Sequence, residues 1–198
     1  MVPERRGSLT RKTKETQVAV EVNLDGSGRA EVATGIGMLD HLLEQLPRHS
    51  LFDITIQASG DIERDPHHLI EDIGIGLGRA LSEALGERRG IVRMGHAIVP
   101  LDEALALVAV DLSGRGYASV ELPFASERVG QLPTEMLAHL LSAFAIEGRL
   151  NLHVRVPAGA NDHHKAEAVF KALARALADA TRIDPRITGE VPSTKDVL

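Results

Sequence analysis

Cysteine and tryptophan are absent from this 198-residue sequence, tyrosine occurs once and phenylalanine four times. Without cysteine there can be no disulfide, zinc–thiolate site or thiol nucleophile, a composition that fits a reducing cytoplasm. With aromatics at 3%, the core has to be built from Ala, Leu, Val and Ile, and platforms for base stacking are missing. A basic excess is missing too: Lys and Arg number 22 against 28 Asp and Glu, a formal charge of -6. A binder of phosphate backbones needs a net basic face, so no nucleic-acid partner is expected, and any anionic ligand requires a local basic pocket. The first residues lack the apolar stretch of a signal peptide. The longest apolar run, residues 104–110, is too short to cross a bilayer. The expectation is a soluble, cytoplasmic protein with no membrane partner.

What is present is globular: 43% hydrophobic and 25% charged residues, far from the composition of disorder. Residues 16–24 alternate, with Val18, Val20, Val22 and Leu24 on one face, and Asp25-Gly26-Ser27-Gly28 predicts a hairpin into a short strand over 29–33. Met38, Leu39, Leu42, Leu43 and Leu46 recur at helical spacing, a strand follows over 51–58, and a second helix is expected over 66–85 despite Gly74, Gly76 and Gly78. The order then returns. Strands are expected over 93–99, 104–112 and 117–122, a helix over 134–147, a strand over 150–156 and a helix over 162–180. This predicts an α+β fold of two tandem ββαβα-type halves, the second with an extra strand. Each half is a small, mostly antiparallel sheet with helices packed on one face. The expected boundaries are 1–90 and 91–185 for the halves and 186–198 for a C-terminal tail.

Register, not element order, is the test of a duplication. His41-Leu42-Leu43 matches His139-Leu140-Leu141 at a separation of 98 residues, and His67-His68-x-x-Glu71 matches His163-His164-x-x-Glu167 at a separation of 96. Of nine histidines, only His49, His96 and His153 fall outside the repeat. On a helix each histidine of a pair can share a face with its glutamate, while the two imidazoles diverge by about 100° around the axis. One such motif is ordinarily a solvated helix face. Two in register make a ligand set, and imidazole with carboxylate suits Mn, Fe or Zn.

These residues occur within ordered motifs: Gly35-Ile36-Gly37-Met38-Leu39-Asp40-His41, Asp65-x-His67-His68-x-x-Glu71-Asp72, Pro100-Leu101-Asp102-Glu103-Ala104-Leu105, Asp111-Leu112-Ser113-Gly114-Arg115, Asn161-Asp162-His163-His164-x-x-Glu167 and Pro192-Ser193-Thr194-Lys195. Together they resemble the imidazoleglycerol-phosphate dehydratase family of histidine biosynthesis, from about residue 11 onward. The resemblance implies a carbon–oxygen hydro-lyase with two Mn2+ per active site, in a homo-oligomeric shell of 24 subunits with active sites at subunit interfaces. It implies His41, His67, His68, Glu71, His139, His163, His164 and Glu167 as metal ligands. Glu15, Arg93, Arg115, Lys171, Ser193, Thr194 and Lys195 would bind the imidazole phosphate substrate, and Glu15, Glu71 and Glu167 are the candidate proton-transfer carboxylates. The sequence departs from the family pattern at Leu69, at Leu140 and Leu141, and at Asp196, where a carboxylate beside Lys195 would oppose phosphate binding if it faced the pocket.

The chemistry accounts for such a set. The proton to be lost sits on a carbon with no adjacent carbonyl, so direct abstraction is implausible. A metal at each ring nitrogen would favour an imidazolate that expels the neighbouring hydroxide, leaving a diazafulvene-like species with an acidified C–H. Two other functions fit the ligands: a binuclear metal phosphoester hydrolase, which would release free phosphate, and a metal-storage shell, in which the arginines and lysines would be idle.

Overall fold

The computed structural model describes residues 5–60, 62–195 and 198. The first half runs β1 (Arg6–Lys12), β2 (Thr16–Asn23), β3 (Ala30–Ala33), α1 (Gly37–Ser50), β4 (Asp53–Gly60), α2 (His67–Leu85). The second runs β5 (Met94–Leu101), β6 (Ala104–Asp111), β7 (Tyr117–Glu121), a small hairpin of β8 (Arg128–Val129) and β9 (Leu132–Pro133), α3 (Glu135–Glu147), β10 (Asn151–Ala158), α4 (Asp162–Thr181). The sheets have the same order, β1-β2-β4-β3 and β5-β6-β10-β7, antiparallel except for one parallel pair each, β3 with β4 and β7 with β10.

The fold is α+β with duplicated halves, as the sequence implies, but its pairing differs in one respect. Residues 16–24 and 29–33 do not form a hairpin: β2 pairs with β1 and β4, and β3 lies beyond β4, parallel to it. Asp53, at the start of β4, accepts backbone N–H groups from Ser27 at 2.8 Å and Arg29 at 3.0 Å, so the turn wraps over β4 instead of folding back on β2. Helix α1 then makes the crossover that a parallel pair requires. The first half also has a strand, β1, with no counterpart in the sequence expectation. Its inward positions are Gly7, Leu9 and Arg11, which carry no hydrophobic alternation, because helix α2 approaches so closely that a Cβ on Gly7 would collide with the Ala80 carbonyl.

Each sheet buries one face. In β2, Val18, Val20 and Val22 are buried while Gln17 and Glu21 are exposed; in β6 the buried set is Ala104, Ala106, Val108 and Val110. The helices cover that face and pack across the repeat, α1 on α4 and α2 on α3. Of the glycines that weaken the expectation of α2, Gly76 lets it pack on Val20 of β2, and Gly74 and Gly78 bring it against α3. Added Cβ atoms on Gly74 and Gly78 would lie 2.6 Å from the carbonyl oxygens of Leu140 and Phe144 respectively. Among the described residues no helix is long and apolar enough to cross a membrane.

Candidate metal centre and phosphate groove

Side-chain acceptors precede both histidine pairs. Asn161, the N-cap of α4, accepts from the N–H of His163 at 2.9 Å, and Asp65, one residue before Pro66 at the cap of α2, accepts from the N–H of His67 at 2.9 Å. Carboxylate and amide oxygens at this position satisfy donors that the first helical turn leaves unpaired. In α1 the carboxylate of Asp40 takes both the N–H of Thr34 at 2.9 Å and its hydroxyl at 2.5 Å, locking the loop that delivers His41.

The first residue of each pair, not the second, turns toward the neighbouring helix. His163 stacks on His41 with ring centroids 5.3 Å apart, and both Nε2 atoms meet the same Glu167 oxygen, at 3.1 and 3.0 Å. The donor atoms of His41, His163 and Glu167 all lie within 4.8 Å of one another, the only such trio among the described residues. At the α2–α3 packing, His67 and His139 come together with centroids 4.9 Å apart, and Glu71 follows one turn after His67. Imidazole nitrogens and carboxylate oxygens at this spacing fit a divalent transition ion.

Burial by itself would push the Glu167 carboxyl up, yet the Lys171 ammonium at 2.6 Å and the His41 ring hold it down at about 2. The carboxylate form of Glu167 is thus favoured, with one oxygen on Lys171 and the other shared by His41 and His163. The equivalent of Lys171 in the first half is Ile75, so the two clusters differ in charge. Lys171 therefore stands with the candidate metal donors, apart from the other basic candidates.

The second residue of each pair has other partners. His68 Nδ1 lies 2.8 Å from Glu15 Oε2, and His164 Nδ1 lies 2.8 Å from Glu103 Oε2. Each ring is steeply inclined to its neighbour in the pair, at 72° for His67 and His68 and 82° for His163 and His164. Glu15 is held in place through its turn: Thr13 Oγ1 accepts its N–H at 3.1 Å, and Thr16 Oγ1 donates to Asp72 of α2 at 2.5 Å. Glu103 has no role assigned by the sequence reading. Its signal was its position one residue before β6, matching that of Glu15 before β2. The His164 carboxylate contact holds the Glu103 carboxyl at about 2, and pushes His164 up in turn.

The remaining candidates gather elsewhere. Arg93, Arg115, Ser193, Thr194 and Lys195 line a groove of about 850 Å³, joined by Arg89 and residues 189–192. Arg93, with φ 76°, is committed within it: its guanidinium grips both oxygens of Asp111 at 2.7 and 3.0 Å and donates to the Pro192 carbonyl at 2.7 Å. It fastens the tail that carries Ser193 to the second sheet. Arg115 and Lys195 are exposed there, free to meet an anion. Asp196 lies outside the described residues.

A model of the imidazoleglycerol-phosphate dehydratase family matches residues 34–177. The chain is 57% identical over 195 residues to the imidazoleglycerol-phosphate dehydratase of Dehalococcoides mccartyi, covering 98% of each chain. It is 58% identical over 194 residues to that of Roseiflexus sp., again with 98% of each covered. Among solved structures, the enzyme of that name from Staphylococcus aureus superposes with TM-score 0.82 at 36% identity, covering 90% of this chain and 99% of its own. The Pyrococcus furiosus enzyme, solved in complex with (S)-C348, gives 0.83 at 38% identity, with 96% and 100% covered.

Proposed function

The chain belongs to the imidazoleglycerol-phosphate dehydratase family, hydro-lyases of histidine biosynthesis, and from that premise we propose that it dehydrates imidazole glycerol phosphate to imidazoleacetol phosphate with two Mn2+ per active site. The observation that carries this reading is the pairing of histidines across the repeat, His41 with His163 and Glu167, and His67 with His139 near Glu71. These six residues, with His68 and His164 completing the set, would hold the two ions. When bound, the ions supply Lewis-acid polarisation at the two ring nitrogens of the substrate.

The chain's own groups account for the rest. Hydroxide leaves the carbon beside the ring, a proton leaves the next carbon, and the resulting enol tautomerises to the ketone. In this reading Glu15 takes that proton, a role supported by its exposure and its contact with His68. Arg115, Ser193, Thr194 and Lys195 hold the phosphate, with Arg93 anchoring their segment. None of the metal donors lines the phosphate groove, which supports phosphate as a handle and not as the reacting group of a hydrolase. The same basic groove would have no use in a metal-storage shell.

His68 and His164 diverge from the clusters of their own chain, which supports completion of each site by a second subunit in a homo-oligomer, of 24 chains by family resemblance. The test is metal content and native mass before and after chelation, beside turnover of imidazole glycerol phosphate. Chelation should abolish turnover, and Mn2+ should restore it. Turnover by rigorously metal-free protein, or release of inorganic phosphate in place of the ketone, would overturn the reading.

A further inference from the structure

Glu15 and Glu103 are counterparts under the internal repeat, each bonded to Nδ1 of the second histidine of its half at 2.8 Å. Their surroundings differ. The other oxygen of Glu103 accepts two backbone N–H groups at the entrance to α4, from Ala160 at 3.1 Å and Asn161 at 2.7 Å. Glu15 is 59% exposed, and among the described residues no backbone N–H donates to its carboxylate. One carboxylate is clamped to the frame and the other can leave its histidine.

A carboxylate only accepts hydrogen bonds, so the nitrogen that Glu103 meets must carry the proton, and in the neutral ring, the form that binds a metal, Nε2 of His164 is left with its lone pair outward. Asp102 Oδ2 lies 3.8 Å from that Nε2, beyond hydrogen-bonding distance. We propose that Glu103 is a positioning residue for metal binding, holding His164 in the tautomer and orientation that offer Nε2 to the ion. This inference rests on the metal reading above.

The substitution Glu103→Gln tests it through the clamp itself. The single amide oxygen stays with the two backbone donors, since an NH2 group there would face N–H groups. The NH2 is therefore aimed at His164 Nδ1, which must become the acceptor and move its proton to Nε2. The corresponding change Glu15→Gln is harmless to the ligand, because an unclamped amide can turn its oxygen to Nδ1 of His68.

Metal-stripped full-length protein is titrated with MnCl2, and free Mn2+ is followed by its electron paramagnetic resonance signal. Wild type and Glu15→Gln should each bind two ions per chain with like affinities. Glu103→Gln should weaken one of the two by about 10- to 100-fold, with the melting temperature of the stripped protein unchanged. Wild-type affinities at both sites of Glu103→Gln, or a stripped variant that melts several degrees lower, would overturn the inference while leaving the metal reading intact. Absence of Mn2+ binding by wild type would overturn both.

Discussion

Replacing Gly74 with alanine places a methyl group 2.6 Å from the carbonyl oxygen of Leu140 and 3.0 Å from the Cβ of Ala143. The oxygen belongs to the backbone of α3 and cannot rotate aside. With ordinary contact starting at 3.4 Å, the helices must separate locally by about 0.8 Å. Overpacking of this kind costs about 1–3 kcal/mol, and a rigid backbone partner puts Gly74→Ala near the upper end. Alanine recovers about 1 kcal/mol of helix propensity, leaving a net loss of about 2 kcal/mol, or roughly 4–8 °C in melting temperature for a chain of this size. The separation also has a local consequence. Gly74 lies seven residues after His67 on the same face of α2, and Leu140 is adjacent to His139, so the variant pulls apart the pair whose centroids now sit 4.9 Å apart. The cluster on α1 and α4 is untouched. Calorimetry at fixed protein concentration on stripped protein, with Mn2+ titration, should show a lowered melting temperature and one weakened site. Gly37→Ala, with no atom within 4 Å of the added Cβ, should show neither. A Gly74→Ala variant as stable as wild type or more so would mean that propensity outweighs the contact, and that the close approach does not set the geometry of this pair.

Glu15→Gln should lower kcat by roughly 10²-fold or more with metal content unchanged; a wild-type rate would exclude Glu15 from proton transfer. Arg115→Ala should raise KM by about 10- to 100-fold, the loss of one charge-assisted hydrogen bond, with kcat nearly constant; steady-state kinetics showing the reverse split would remove it from the phosphate site. Asp162 and Lys165 form a buried ion pair at 2.9 Å, and Asp162 also accepts the N–H of Ala125 at 3.0 Å and of Ser126 at 2.7 Å. Asp162→Ala should therefore destabilise the chain by about 3–5 kcal/mol in a denaturant melt. Burial raises the Asp162 carboxyl, but Lys165 and the two backbone donors outweigh it and hold the group at about 2 against an ordinary 3.8. Its contribution is thus complete above about pH 4 and lost as pH falls toward 2. The gap between wild type and Asp162→Asn should narrow over that interval, and a constant gap would refute the assignment.

The sequence alone determined the elements whose period is local and singled out the candidate ligand residues. Val18, Val20 and Val22 at period two and Leu39, Leu42, Leu43 and Leu46 at helical spacing specify strand and helix by which side can be buried. The duplicated histidine motifs were legible because ligand chemistry needs particular residue types at particular spacing. Tertiary structure decided what those signals do not encode. Strand β1 was hidden because its inward residues answer to the approach of α2 and not to burial of their own side chains. Strand β3 took its place beyond β4 because Asp53 ties the preceding turn across that strand. Which histidine of each pair faces its own chain's cluster, and that Glu103 clamps His164 while Glu15 stands free, depends on residues far apart in sequence. A one-dimensional pattern records the preference of a segment for a buried face, whereas the partner on that face is chosen by packing and hydrogen bonding across the whole chain.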